Sequence, residues 1–392
     1  MIVLFSTRAP GPVRKGDQTI LDAKIRFFKK SAKLVLICPK LNAEERLFFA
    51  ESYASGCELI EYRKKGADLF TGFLKCLFGN MPFHYAFFFG SDAKALLAKL
   101  PQSTHIHFLL SRSLINFSED LSRHSIDFID SGYLALKNRN SKTFLLKRLF
   151  HFESLRAQRF EERIAKKSKF SSAVSVLDAS AIHHSVNVIP NGVAVPKEQK
   201  KVKLGKADTR LKLVMSGNFD YPPNREGAEN AIRFIRSSEF SGKIELAFVG
   251  FSSDKFLQEK LSLGNFGFRI SATGTVEDIK AAIMGHDAAL ALMTTGSGIQ
   301  NKVLEAFSVG LPVIISEKVS KGLPVANSYG SRIATTQKEF DEAIEFLLKA
   351  ENRRLICNHN RNHCTENYDW ESLMKKLQDR IHDERGNFSS RP

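Results

Sequence analysis

The stretch Gly296–Ile314, GSGIQNKVLEAFSVGLPVI, decides the fold. It joins a glycine loop, a polar helix start with Lys302, an acidic residue one turn on (Glu305) and, past Gly310 and Pro312, the apolar run Val313–Ile315. A helix that stops at glycine and feeds a short, wholly apolar strand is the repeating piece of buried parallel sheets. The same residues suit ligand chemistry. Glycine lets backbone approach a ligand closely, and the N–H groups of a helix start favour phosphate oxygens. Lys302 adds a full charge there, and Glu305, on nearly the same helix face, can accept hydrogen bonds from a pair of sugar hydroxyls. From these residues alone, an ordinary helix with Lys302 and Glu305 in a solvated ion pair reads equally well.

Outward from this stretch the chain alternates apolar runs with helix-compatible segments. The first half offers Ile2–Phe5, Leu34–Cys38, Leu59–Glu61, His105–Leu110, Ile126–Ile129, Ser172–Leu177 and Asn187–Ile189 as strands, with Phe144–Lys169 as a long surface helix. Pro190-Asn191-Gly192 and the Lys-rich stretch after it, which lacks apolar periodicity, read as a break. The alternation then restarts with Leu211–Met215, Ile244–Val249, Arg269–Ala272, Ala288–Leu292 and Val313–Ile315, and with helices opening near Asn224, Ser253, Glu277 and Gln300. The expected fold class is α/β, two Rossmann-like domains facing across a cleft: residues 1–190, a linker 191–208, a second domain 209–365, and a C-terminal helix and tail 366–392. Ligand loops belong at the carboxyl ends of the strands. Ser216–Asn224, Gly250–Ser252 and Met293–Gln300 qualify in the second half. In the first half Ser6–Thr19 does, with Gly11 and Gly16 among Arg8, Arg14 and Lys15.

The 392 residues suffice for two domains with separate cores. Lys and Arg outnumber Asp and Glu by 58 to 42, a formal charge of +16 that suits a polyanionic partner. The basic clusters lack interleaved aromatic platforms, so nucleic acid is not expected. Five cysteines without a CxxC pair fit free thiols in a reducing cytoplasm. The chain opens into an apolar strand, Ile2–Phe5, with no basic n-region or small-residue cleavage site, so a signal peptide is not expected. Leu69–Gly90 is rich in phenylalanine but is interrupted by Lys75, Asn80, Pro82 and His84. It reads as a helix to Phe78, a stop at Gly79-Asn80 and a second apolar segment rather than a membrane span. Beside basic clusters, it makes an anionic membrane surface a candidate partner. Cys357, His359, His363 and Cys364 have spacing reminiscent of zinc ligands, but Cys357 and His359 project differently from a helix. Asp127 and Asp130 are not counted as metal ligands, and no DxD motif occurs.

Eight segments occur in family-like order: RAPGPVRKGD (8–17), FIDSGY (128–133), ESLRAQRFEERIA (153–165), VIPNGV (188–193), SGNFDYPPNREGAENAIRFI (216–235), TGTVEDI (273–279), GIQNKVLEAFSVGLPVI (298–314) and YDW (368–370). Together they resemble family 4 glycosyltransferases of the GT-B fold, and within them the exosortase-associated (PEP-CTERM) sugar transferases. The resemblance implies a cytoplasmic enzyme that transfers a sugar from a nucleotide-diphosphate sugar to an acceptor hydroxyl in cell-surface polysaccharide or lipopolysaccharide assembly. It implies retention of anomeric configuration, and neither metal nor cofactor. The first domain would take a glycan or lipid-linked acceptor, with peripheral attachment at the inner face of the plasma membrane a further expectation. The second would bind the donor, and the last helix would cross back to the first domain.

Residue by residue, the resemblance implies Glu305 at the ribose, the helix start Gly298, Ile299, Gln300, Asn301 and Lys302 at the diphosphate, Val276 at the base, and Gly16 closing over the phosphates. Gly217, Asn218 and Arg225 complete the donor set. Asp130 stands where many relatives carry a histidine against the transferred sugar, and with Lys302 and Glu305 forms the candidate catalytic group. Asp130 also reads as a helix N-cap or turn residue. Two departures matter. SGNFDYPPN lacks the basic pair that many relatives carry after this strand, leaving Lys302, Arg225, Arg8 and Lys15 to meet the diphosphate charge. Ser297 replaces the first of the family's two glutamates. A nucleotide-sugar epimerase of the same fold and a non-catalytic nucleotide or polyanion binder are the alternatives.

Overall fold

The computed structural model describes residues 1–12, 16–139, 143–197, 210–262, 264, 266–295, 300–322 and 330–382. The chain divides into two compact units, Met1–Asn191 with Glu371–Pro392, and Gly192–Trp370. Most of the expected linker, residues 198–208, lies outside the described residues.

The first unit opens β1 (Ile2–Phe5), α1 (Gly16–Ser31), β2 (Leu34–Pro39), α2 (Ala43–Ser52), β3 (Cys57–Tyr62), α3 (Asp68–Phe78) and α4 (Ser91–Ala98). It continues β4 (His105–Leu109), β5 (Ser125–Asp127), α5 (Gly132–Lys137), α6 (Phe144–Lys167), β6 (Phe170–Ala173), α7 (Val176–Ile182) and β7 (Asn187–Val188). Its sheet runs β3-β2-β1-β4-β5-β6-β7, every pair parallel. Val3, Phe5, Val35, Ile37, Phe108 and Ile126 sit in its core.

The second unit contains β8 (Leu211–Ser216), α8 (Pro222–Ser237), β9 (Ile244–Val249), α9 (Ser253–Leu261), β10 (Arg269–Ala272), α10 (Ile279–Met284) and β11 (Ala288–Ala291). It ends with α11 (Asn301–Ser308), β12 (Val313–Ile315), α12 (Glu317–Gly322), β13 (Ser331–Ile333), α13 (Gln337–Leu348) and α14 (Ala350–Asn367), before α15 (Trp370–His382). The parallel order β10-β9-β8-β11-β12-β13 reverses direction between β8 and β11, as the other sheet does between β1 and β4. Each reversal opens a crevice at the carboxyl ends of the strands, the ordinary ligand position in such sheets.

Three expectations need correction. Ser172–Leu177 is not one strand: β6 ends at Ala173 and Val176-Leu177 start α7, because the Ser175 hydroxyl accepts from Asp178 N–H and caps a helix. The long helix α6 is a surface helix only in its first half, since Glu153, Arg156, Phe160, Glu161 and Ile164 are buried. An additional edge strand, β13, pairs with β12.

Candidate functional site

At the crevice of the second unit, two loops and a helix start converge. Gly217 follows β8 with φ +147°, and a Cβ there would fall 2.9 Å from Asn224 Nδ2 and 3.4 Å from Lys302 Nζ. A Cβ on Gly250 would come within 2.2 Å of the Gly217 carbonyl, so these loops pack as bare backbone. Asn224, in the first turn of α8, joins the parts. Its Nδ2 donates to the Asn218 carbonyl at 2.7 Å, and its Oδ1 accepts from Lys302 Nζ at 2.5 Å. Lys302 Nζ also lies 3.8 Å from Met293 Sδ.

Gln300 is the N-cap of α11 but makes no side-chain cap, and Asn301 and Lys302 form its first turn. Among the described residues, no carboxylate lies within ion-pair distance of Lys302. Burial pulls its ammonium down to about 8, opposed by the nearby Glu305 charge. Burial raises the Glu305 carboxyl, opposed by Lys280 and Lys302. Cation and carboxylate thus share one half-buried neighbourhood without forming the solvated ion pair that the sequence also allowed.

The remaining donor candidates are distributed unevenly. Asn218 Oδ1 accepts from Asp220 N–H at 2.8 Å and shapes the turn after β8. Arg225 is committed elsewhere: it holds both oxygens of Glu259, at 2.7 and 2.6 Å, and lies over the Phe256 ring. Val276 is half-buried in the loop between β10 and α10, and α10 packs against α11. Gly298 and Ile299 lie outside the described residues, as do Ser297, Arg14 and Lys15. Asn224, Lys280 and Met293 escaped sequence reasoning; the one available signal was a polar amide directly after Pro222-Pro223.

At the crevice of the first unit, Gly16 opens α1 and the following Asp17 receives Arg8 at 2.7 Å and Arg112 at 3.4 Å. Arg112 Nε donates to Thr7 Oγ1. Asp130 follows Ile129, a β-branched residue with φ +62°, a conformation that must be imposed by its surroundings. Burial raises the Asp130 carboxyl to about 7, helped by Asp178, Asp127 and Asp17. Ser131, not Asp130, caps α5. Buried Glu161 lies alongside, also raised to about 7 by burial, although it accepts from Gly132 N–H at 2.9 Å and Ser111 Oγ at 3.1 Å. His107 has an internal role: its ring bonds buried Lys24 and Ser125, and Lys24 pairs with Asp127 at 2.7 Å. In α14, Cys357 and Cys364 are buried, and Cys364 Sγ faces the Leu304 carbonyl of α11. Among the described residues, no three His, Cys, Asp or Glu side chains group as metal ligands.

Two parallel α/β units, each with a crevice where its strand order reverses, have the architecture of the GT-B fold, which the solved structures below share. The second unit carries the domain of the glycosyl transferases group 1, whose family model matches residues 210–350. Among solved structures the chain is similar to Anabaena HepE in complex with UDP, at 11% identity over 96% of this chain and 98% of that one, with a TM-score of 0.67. WaaG, a glycosyltransferase involved in lipopolysaccharide biosynthesis, is 15% identical over 98% of this chain and 100% of its own, with a TM-score of 0.62. The trehalose-6-phosphate synthase OtsA is 13% identical over 98% and 99%, with a TM-score of 0.64. No curated protein matches in sequence.

Proposed function

We propose that this nucleotide-sugar glycosyltransferase builds lipopolysaccharide or another cell-surface polysaccharide, moving a sugar from a nucleoside-diphosphate donor to a hydroxyl of a glycan or lipid-linked acceptor with retention and without a metal. The observation that carries the donor reading is Lys302: a half-buried ammonium beside bare glycine backbone, held by an amide and, among the described residues, with no carboxylate at ion-pair distance. The bond from the sugar's anomeric carbon to the diphosphate breaks, a bond to the acceptor oxygen forms, and the acceptor proton passes to the departing diphosphate. Charge builds on the departing diphosphate. Lys302 and the α11 start formed by Gln300 and Asn301 stabilise it, with Gly217 and Asn218 shaping the loop beneath; Gly298 and Ile299 are assigned to the same diphosphate on the resemblance alone. Glu305 holds the ribose hydroxyls, and Val276 borders the base.

In the first unit, Gly16 lies against the phosphates and Asp130 contacts the acceptor or the transferred sugar. A carboxyl raised to about 7 can donate as well as accept a hydrogen bond near neutral pH. Arg225 serves its pair with Glu259 in this reading, and Lys302 carries the diphosphate charge. Support for the pathway comes from WaaG, and for retention from a trehalose-6-phosphate synthase of similar fold, whose enzymatic glycosyltransfer proceeds with retention. We place the enzyme in the cytoplasm, at the inner face of the plasma membrane.

Donor binding and turnover with UDP-, GDP- and ADP-sugars, with EDTA present, test the proposal. Glu305→Ala should weaken donor affinity about tenfold to a hundredfold, the range for losing hydrogen bonds to a charged group. A wild-type protein that neither binds nor turns over any of these donors, and that Glu305→Ala leaves unchanged, would end the reading.

A further inference from the structure

The loops that leave β4 and β5 at the crevice of the first unit both bend against the preference of their residues. Leu110 has φ +66° and Ile129 has φ +62°. Neither side chain favours the left-handed region, so each backbone is held there by contacts from elsewhere in the fold. One side chain supplies contacts to both loops. Glu161 of α6 is fully buried, and its Oε1 accepts from Ser111 Oγ, in the residue after Leu110, at 3.1 Å and from Gly132 N–H at 2.9 Å. Its Oε2 accepts from Ser131 Oγ and from Tyr133 N–H, each at 3.3 Å. Ser131, Gly132 and Tyr133 directly follow Asp130. A Cβ on Gly132 would fall 2.9 Å from Glu161 Oε1, so a bare backbone is what lets the loop come this close.

Stability alone does not account for this carboxylate. Its partners are two hydroxyls and two N–H groups, and among the described residues no lysine, arginine or histidine lies at ion-pair distance of it. A buried carboxylate without a cation costs more than an apolar side chain of its size. What it provides instead is two oxygens with several acceptor positions, enough to tie two loops to each other. Tyr85 completes the knot, its hydroxyl pairing with Ser111 Oγ at 2.5 Å. Asp178 of α7 adds a second hold on the later loop, accepting from Ser131 N–H at 2.9 Å. The loops so tied carry polar groups of the crevice. Asp130 is partly exposed, and Arg112, next to Ser111, reaches Thr7 and Asp17.

We propose that Glu161 is the positioning residue of this crevice: it ties the loops after β4 and β5 together and so fixes Asp130 for its contact with the acceptor or the transferred sugar. This rests on the contact proposed above for Asp130. The test uses the full chain with UDP-glucose, GDP-mannose and ADP-glucose, reading release of free sugar, donor affinity by calorimetric titration, and amide hydrogen exchange over residues 128–137. Glu161→Gln keeps the size but turns one acceptor into a donor that faces N–H groups. Its turnover per folded molecule falls about tenfold to a hundredfold while donor affinity stays within about twofold, the split expected when a reacting geometry is loosened and the binding site is not. Gly132→Ala, which crowds the carboxylate from the loop side, has the same effect, and exchange over 128–137 speeds up in both variants. Asp130→Asn with Glu161→Gln is no slower than Asp130→Asn alone, because the two act as a unit. A Glu161→Gln protein that melts earlier but keeps its turnover per folded molecule overturns the inference, as does full additivity in the double variant. Unchanged exchange over 128–137 overturns it whatever the turnover. Donor binding separates the two readings: normal binding with an Asp130→Asn variant of full turnover removes only the role of Glu161, and a wild type that binds no donor removes the enzyme reading on which that role rests.

Discussion

Two lysines, one in each unit, leave bulk water in different company. Lys24 in α1 is fully buried, and its ammonium meets the Asp127 carboxylate and the His107 ring, each at 2.7 Å. Burial and the adjacent Lys24 charge hold His107 well below its ordinary range, so its neutral ring nitrogen can accept the ammonium proton. Asp127 uses its second oxygen on the Ile129 N–H. Among the described residues, Lys302 meets an amide oxygen and a thioether at close range. A buried cation whose charge is matched inside the fold is structural; one held by neutral groups has its charge left over for an anion. The proposed donor role of Lys302 rests on this contrast and not on any relative.

Removing each cation should therefore have opposite consequences. Lys24→Met leaves Asp127 buried without its partner and should cost about 3–5 kcal/mol of stability, read by denaturant unfolding, while the molecules that remain folded bind donor as before. Lys302→Met should lower donor affinity about a hundredfold, about 2.7 kcal/mol by calorimetric titration, with a melting temperature unchanged or higher because no paired charge is lost. If both variants lose stability equally, or if Lys302→Met binds donor normally, the distinction between the two lysines collapses.

The same contrast shows what could be read from residues alone. Lys302 and Glu305 could be picked out as candidates because a glycine loop, helix and apolar strand lie within a single short stretch, where helical spacing fixes which side chains share a face. Both sheets were legible through alternation, apart from β13, whose central Arg332 gives it no apolar signature. The Lys24–Asp127 pair was hidden, since it joins α1 to β5, and nothing local announces a partner so distant in the chain. Asn224 was hidden for the same reason: its amide matters only once α8, the Gly217 loop and α11 are folded together. Arg225 was misleading from sequence, because its carboxylate partner Glu259 belongs to α9. Asp130 was noticed, but its neighbour Ser131 does the capping, and its carboxylate surroundings come from three other elements.

The smallest expected effect is also the most discriminating, because it requires one proton to act in opposite directions on two measurements. Free Lys302 titrates at about 8, below its ordinary 10.5, and a bound diphosphate favours the charged form. Donor affinity should hold below about pH 8 and fall by up to about tenfold per unit above it, as the free protein loses the proton that the complex needs. A nucleotide-sugar diphosphate keeps its own charge through this range, so the ligand does not supply the trend. The stability of the unliganded protein should respond with the other sign. For a lysine depressed in the fold, the unfolded chain binds more protons between about 8 and 10.5, so this group's contribution to unfolding free energy rises with pH across that window. Titrations from pH 7 to about 9.5 on wild type and Lys302→Met check both. Affinity that is flat in the wild type, or that falls equally in the variant, assigns the counter-charge to another group. Loss of slope in the variant alone identifies Lys302 as the unmatched cation that the diphosphate completes.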